Sequence, residues 1–330
     1  MKKKFLILGL LLLTTGAFAA EDEAVTQIEQ PAVQAPIEEQ PALPPLDVAQ
    51  EAAQPDDASQ PTTAEAQPDL PTPDPAKLRG MRSAAAIVVK QEQERPLYGK
   101  NTDVPMPIAS ITKLMTAMVV LDAQLPLDEQ ITIEKEDVDT LRGTRSKLKV
   151  GLTLSRQELL QLALMASENR AAAALARAYP GGVPAFVAAM NRKAEALGMT
   201  DTHFVDATGL ERGNVSTAQD LVKMVKASYS YELIREFTTA TSHAVALRKS
   251  RNLPFHNSNQ LVKSKSCDIG LSKTGYIRDS GRCLVMQAKI AEQKVIIILL
   301  DSWGKYTRIA DANRIKRWIE TSFAYKPHSS

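Results

Sequence analysis

Between Glu21 and Ala76 the chain holds 11 prolines and 13 acidic residues, with no Lys, Arg, Phe, Trp or Tyr. Such a stretch cannot bury enough apolar surface to offset the backbone entropy lost on ordering, about 1–2 kcal/mol per residue. The fold must therefore be built by the residues that follow. Residues 20–76 are read as an extended acidic tether, with a docking arm for a basic partner as the functional alternative. The whole-chain charge hides this division. Residues 1–20 carry +3, residues 21–76 carry −13, and residues 77–330, with 37 basic and 25 acidic side chains, carry +12, so 330 residues sum to +2.

Lys2, Lys3 and Lys4 precede an apolar run from Phe5 to Leu13, and Ala17-Phe18-Ala19 offers small residues at alternate positions. This pattern is expected of a signal peptide over 1–19, cleaved after Ala19. The run is too short to span a bilayer comfortably, and no Cys follows the cleavage site to take a lipid. Export to the periplasm as a soluble protein is the expectation. The four His (203, 243, 256, 328) form no spaced ligand set, so neither metal nor cofactor is expected. Cys267 and Cys283 could pair in an oxidising compartment. If the hairpin around them turns near Asp279 and Ser280, Cys283 faces about Tyr276 and Cys267 lies far down the other strand, so pairing would need a fold-back.

Within 77–330, Ser83 to Lys90 and Arg95 to Tyr98 read as a strand pair. Apolar residues from Ile111 to Val119 then recur at helical spacing around most of a circumference, which predicts a buried helix. Ser155-Arg156-Gln157-Glu158 is a capping box opening a second helix to about Ala166. Further helices are predicted over about 170–179, over 184–197 with Gly198 as the stop, and from Thr217 onward. Gly270 to Ile277, Arg282 to Ala291 and Lys294 to Ser302 read as three sequential antiparallel strands, closed by an amphipathic basic helix over 306–320. That helix suits a cap on the sheet, or less readily a membrane surface. The class is α+β: an antiparallel sheet flanked by helices, with a helical subdomain facing the sheet edge across a cleft.

Ser-x-x-Lys places a hydroxyl and an amine one helical turn apart, so the amine can take the proton as the oxygen attacks. The pattern occurs at Ser110–Lys113, Ser146–Lys149 and Ser302–Lys305. Only Ser110 opens a helix apolar enough to be buried, where a lysine is costly to keep charged and becomes a better base. Ser167-Glu168-Asn169 falls in a break between two helices, although Ser250-Arg251-Asn252 repeats the Ser-x-Asn triplet. Lys273-Thr274-Gly275 is unique in the chain; on an edge strand its Lys and Thr can meet a carboxylate, while Gly leaves room for a substrate backbone.

The order Ser-x-x-Lys, Ser-x-Asn, Lys-Thr-Gly, at intervals of 57 and 106 residues, is far more specific than any one motif. With Pro107-Ile108-Ala109-Ser110, Met115-Thr116-Ala117, Ala166-Ser167-Glu168-Asn169-Arg170, Asp301-Ser302 and Gly304-Lys305 around it, residues 80–321 resemble a low-molecular-mass penicillin-binding protein. The resemblance is to the D-alanyl-D-alanine endopeptidase branch, and implies the D,D-peptidase/β-lactamase-like fold. It also implies that Ser110 is acylated by a D-alanyl carbonyl with Lys113 as general base. Ser167 and Lys273 would relay a proton to the leaving amine, and Asn169 would hold the substrate amide or Lys113. Thr274 would bind the substrate near its leaving side, with Gly275 leaving room for the substrate backbone, and the N–H groups of Ser110 and Tyr276 would form the oxyanion hole. Glu168 stands where Gly or Asp is common in the superfamily and receives no catalytic duty.

The implied partners are peptidoglycan stem peptides and, as covalent inhibitors, β-lactams. The +12 region would ordinarily raise nucleic acid. Export instead favours an anionic wall polymer, a membrane surface or another wall enzyme, or simply a solvated basic face. A β-lactamase is disfavoured because Glu211 and Asn214 have the wrong spacing for a deacylating loop. A D,D-carboxypeptidase would share all three motifs, but the 55 residues after Gly275 leave no room for the further β-rich domain many carry. A non-catalytic wall-binding or β-lactam-sensing protein is disfavoured by the intact chemical groups.

Overall fold

A computed structural model describes residues 73–247, 251–264 and 268–323. In chain order the strands are β1 (Ser83–Lys90), β2 (Pro96–Lys100), β3 (Met106–Pro107), β4 (Gln130–Thr132), β5 (Thr153–Ser155), β6 (Val215–Ser216), β7 (Ser242–Leu247), β8 (Arg251–His256), β9 (Asp268–Ile277), β10 (Gly281–Ile290) and β11 (Gln293–Ser302). The helices are α1 (Lys113–Asp122), α2 (Arg156–Met165), α3 (Asn169–Arg177), α4 (Gly182–Ala196), α5 (Ala218–Tyr229), α6 (Glu232–Thr239) and α7 (Thr307–Phe323).

The two groups of strands join in one five-stranded antiparallel sheet of order β2-β1-β11-β10-β9. Its central strand β11 reads Val295 to Leu300 without interruption, and all six side chains are buried, because helices cover both faces. Ala86, Val88, Leu284, Met286 and Ile297 pack on Ala312, Ile315, Trp318 and Ile319 of α7. The amphipathic closing helix is thus a cap on the sheet. Ala85, Ile87, Val285, Ile296 and Ile298 point to the other side, into one core shared with the helical block. There α1 is buried from Lys113 to Val120, so its apolar circumference is satisfied on all sides. Full burial of Leu114, Met115 and Met118 contributes about 1.5–3 kcal/mol each.

The capping box is formed as expected, with Ser155 Oγ accepting the Glu158 N–H and the Glu158 carboxylate accepting the Ser155 N–H. Gly198 follows α4 with φ +67°, the left-handed stop that glycine allows. Before β1, the turn Pro75–Leu78 buries Leu78 against the α7 cluster, and Trp318 Nε1 donates to the Asp74 carbonyl at 2.8 Å. The packed structure therefore takes in a few residues ahead of the expected boundary at 77.

The β9–β10 turn differs from expectation by one residue. Ile277 pairs with Gly281 across a three-residue turn, so Cys283 faces Gly275 rather than Tyr276. Cys283 is a buried free thiol, which burial raises to about 11, and Cys267 lies outside the described residues. Ser250 also lies outside them. Among the described residues no helix is long and apolar enough to cross a membrane.

Candidate active site

Three walls meet at Ser110. It sits in the 3-10 turn Ala109–Thr112 ahead of α1, rather than in the α-helix itself. The preceding Ala109 has φ +47°, a left-handed conformation that costs a non-glycine residue about 1–2 kcal/mol. Several contacts hold it there. Ile108 N–H donates to the Asn214 carbonyl, Thr112 Oγ1 donates to the Ala109 carbonyl at 2.8 Å, and Asn214 Nδ2 donates to Thr112 Oγ1 at 2.9 Å. Gly209 presses on the same peptide: a Cβ there would lie 2.0 Å from the Ala109 oxygen.

Lys113 is completely buried, and its three hydrogen bonds define its state. Nζ lies 2.7 Å from Asn169 Oδ1, 2.6 Å from the Thr208 carbonyl and 2.9 Å from Ser110 Oγ. The first two partners can only accept, so a neutral amine gives them its two hydrogens and turns its lone pair to the Ser110 hydroxyl. Burial lowers the Lys113 pKa to about 7, against the opposing pull of Asp206 and Glu168.

Ser167 also has a left-handed backbone, with φ +60° in the break between α2 and α3. Its Oγ accepts from Lys273 Nζ at 2.7 Å. Lys273 is buried on the edge strand β9, and its pKa is held well below the usual lysine range by burial, then by the positive charge of Lys113 in its protonated form and of Arg308. Gly275 has a use beyond the one expected. A Cβ there would come 2.8 Å from the Ile108 carbonyl oxygen and 3.2 Å from Ser110 N, so the space is filled by the chain's own backbone. This close approach sets the Tyr276 segment beside Ser110, while the Tyr276 side chain itself is exposed.

The model of the D-alanyl-D-alanine carboxypeptidase family, peptidase S11, matches residues 72–303. The chain belongs to the S11 peptidases. It is 49% identical over 242 residues to the D-alanyl-D-alanine endopeptidase of Pseudomonas aeruginosa, covering 73% of this chain and 78% of that one. To the D-alanyl-D-alanine endopeptidase of Escherichia coli it is 47% identical over 240 residues, 72% and 77% of the two chains. The crystal structure of the Streptomyces K15 DD-transpeptidase superposes with a TM-score of 0.67 at 28% identity, covering 74% of this chain and 98% of that one.

Of the residues read from the sequence, Ser110, Lys113 and Asn169 are joined by hydrogen bonds, Ser167 is bonded to Lys273, and Gly275 lies against the Ser110 backbone, but several of their neighbours escaped that reading. Thr144 donates to Asp139 Oδ2 at 2.6 Å and accepts from Asn169 Nδ2 at 3.0 Å. Because its only hydrogen goes to the carboxylate, Thr144 can take only a donor from Asn169, which turns Oδ1 toward Lys113. Ser258 accepts the Thr274 hydroxyl at 2.8 Å, and Arg308 Nη1 donates to the Gly275 carbonyl at 3.0 Å. Asn214 is buried with its amide engaged by the loop 205–206 and by Thr112, while Glu211 is exposed. Neither is arranged as a partner for a deacylating water. Ser146 donates to Glu168 Oε2, and Ser302 shares a buried hydrogen bond with Ser83, so the two other Ser-x-x-Lys serines have structural partners.

Proposed function

We propose that this S11 peptidase is an exported D,D-endopeptidase that hydrolyses D-alanyl crosslinks in peptidoglycan through an acyl-enzyme on Ser110. The observation carrying this reading is the buried Lys113 amine, 2.9 Å from Ser110 Oγ and held by two acceptors that leave it the lone pair for that hydroxyl.

In the acylation step Ser110 Oγ attacks the D-alanyl carbonyl carbon while Lys113 takes the hydroxyl proton. The negative charge on the carbonyl oxygen falls to the N–H groups of Ser110 and Tyr276, where loss of one donor costs about 10²–10³ in rate in other enzymes. As the tetrahedral intermediate collapses, the C–N bond breaks. Ser167 passes its proton to the departing amine and is reprotonated from Lys273, 2.7 Å away. Water then splits the Ser110 ester by the same route in reverse. Thr274 and the half-buried Arg308 stand on the leaving side, where a carboxylate would meet both a hydroxyl and a cation. A β-lactam presents the same carbonyl in a strained ring whose leaving nitrogen stays tethered, so it acylates Ser110 and blocks it.

In this reading the leader over 1–19 takes the chain to the periplasm and is cleaved after Ala19, and 20–76 serves as an acidic spacer ahead of the peptidase domain. The family's own description favours a second activity, carboxypeptidase removal of terminal D-Ala. Purified protein incubated with crosslinked muropeptides separates the two. Conversion of dimers to monomers is the expected result. Loss of terminal D-Ala alone, with dimers intact, would assign the chain to carboxypeptidase chemistry.

A further inference from the structure

An open pocket of about 110 Å³ adjoins the leaving side of the site and is more basic than one terminal carboxylate requires. Ser258, the acceptor of the Thr274 hydroxyl, lies in its wall, and Arg308, bonded to the Gly275 carbonyl, is shared between cavity and cleft. Beyond them stand Arg282, Lys305, Tyr306 and Asn259. Among the described residues none of the three cations enters an ion pair. Arg282 stacks its guanidinium on the Tyr276 ring at 4.5 Å, and Lys305 lies 5.3 Å from the Tyr306 ring centre. Both contacts use ring faces and leave N–H donors for a ligand.

Asn259 supplies an independent observation. It is 3% exposed, its Oδ1 accepts the Leu261 N–H at 3.1 Å, and its Nδ2 donor has no partner. A buried donor left unpaired is unfavourable, and in a basic cavity it matches an acceptor brought by a ligand.

A carboxypeptidase substrate releases free D-alanine, whose single carboxylate is met by Thr274 and Arg308. A crosslinked substrate releases a longer leaving group, the stem peptide of a second strand, which carries further carboxylates. We propose that Arg282, Lys305 and the Asn259 amide form a subsite for a carboxylate of that second strand, and that this subsite selects crosslinks over terminal D-Ala-D-Ala. The proposal rests on the reading of Ser110 as the nucleophile toward D-alanyl bonds.

The test compares the full chain with Lys305→Glu, an exposed position where folding tolerates the change, verified by its melting temperature. Substrates are a crosslinked muropeptide dimer, a monomer ending in D-Ala-D-Ala, and the dimer with its acceptor-strand carboxylates amidated except for the one beside the scissile bond. The ratio of kcat/KM for dimer over monomer is expected to fall about 10-fold in Lys305→Glu, mainly through KM, as for loss of binding common to ground and transition states. Amidation should cost the wild type a similar factor and the variant nothing more. Equal effects on dimer and monomer, or wild-type indifference to amidation, would overturn the subsite while leaving Ser110 chemistry intact. A wild type that turns over neither substrate would overturn the Ser110 reading, and the subsite with it.

Discussion

Lys113→Arg should slow acylation by benzylpenicillin about 10³-fold, within the 10²–10⁴ that a general base contributes. A guanidinium stays protonated throughout the accessible pH range and cannot accept the Ser110 proton. Because Lys113 lies completely buried among fixed partners, the larger side chain could also disturb packing. Lys113→Met, closer in length and uncharged, provides the control: the same loss of rate is expected with the melting temperature retained. The wild-type pH profile carries the matching signature. Lys113 titrates at about 7, far below an ordinary lysine, so the active neutral form is scarce below that pH and dominant above it. Acylation should therefore climb as pH rises through about 7 and then level. A profile still climbing steeply at pH 9, or near-normal acylation of Lys113→Arg, would remove Lys113 from the base role.

The second large effect is expected at Gly209, a residue with no chemistry of its own. Its φ of +80° costs an alanine about 1–2 kcal/mol. The new Cβ would stand 2.0 Å from the Ala109 carbonyl oxygen and 2.4 Å from its carbon, an overlap that forces a backbone shift costing about 1–3 kcal/mol. At about 2–4 °C per kcal/mol for a domain of this size, Gly209→Ala should lower the melting temperature by roughly 10 °C. It should also slow acylation about 100-fold, because an error of about 1 Å in a reacting group has that effect. Gly198→Ala isolates the conformational part, since Gly198 has φ +67° with nothing within 4 Å of its Cβ position. That control should lose stability and keep its acylation rate. If acylation survives Gly209→Ala as well, the Gly209 contact does not set the position of Ser110.

The difference between these two glycines marks where sequence reading stops. Periodicity found α1, the capping box found the start of α2, and apolar runs found the strands β9, β10 and β11, because each signal is local and repeats along the chain. The three motifs located Ser110, Lys113, Ser167, Asn169 and the Lys273–Tyr276 strand, since chemistry dictates their residue types. The short pairings of β3 with β6 and β4 with β5, the hairpin of β7 and β8, and helix α6 went unread. The two-residue pairing of Met106–Pro107 with Val215–Ser216 has no periodic pattern, and depends on contacts more than 100 residues apart. Gly209 sits in a loop and Thr144 follows a turn, so neither looks unusual until the loop 206–209 is seen against Ala109 and Thr144 against Asn169. Gly275 was recognised as a motif glycine, but the close approach of the chain's own Ile108–Ser110 backbone, which also requires it, has no signal in the sequence.

Intact-protein and peptide mass spectrometry after exposure to benzylpenicillin tests the central claim most directly. A single penicilloyl adduct is expected, on the peptide containing Ser110, and it should be absent from Ser110→Ala. An adduct on Ser167, or labelling that persists in Ser110→Ala, would contradict the account.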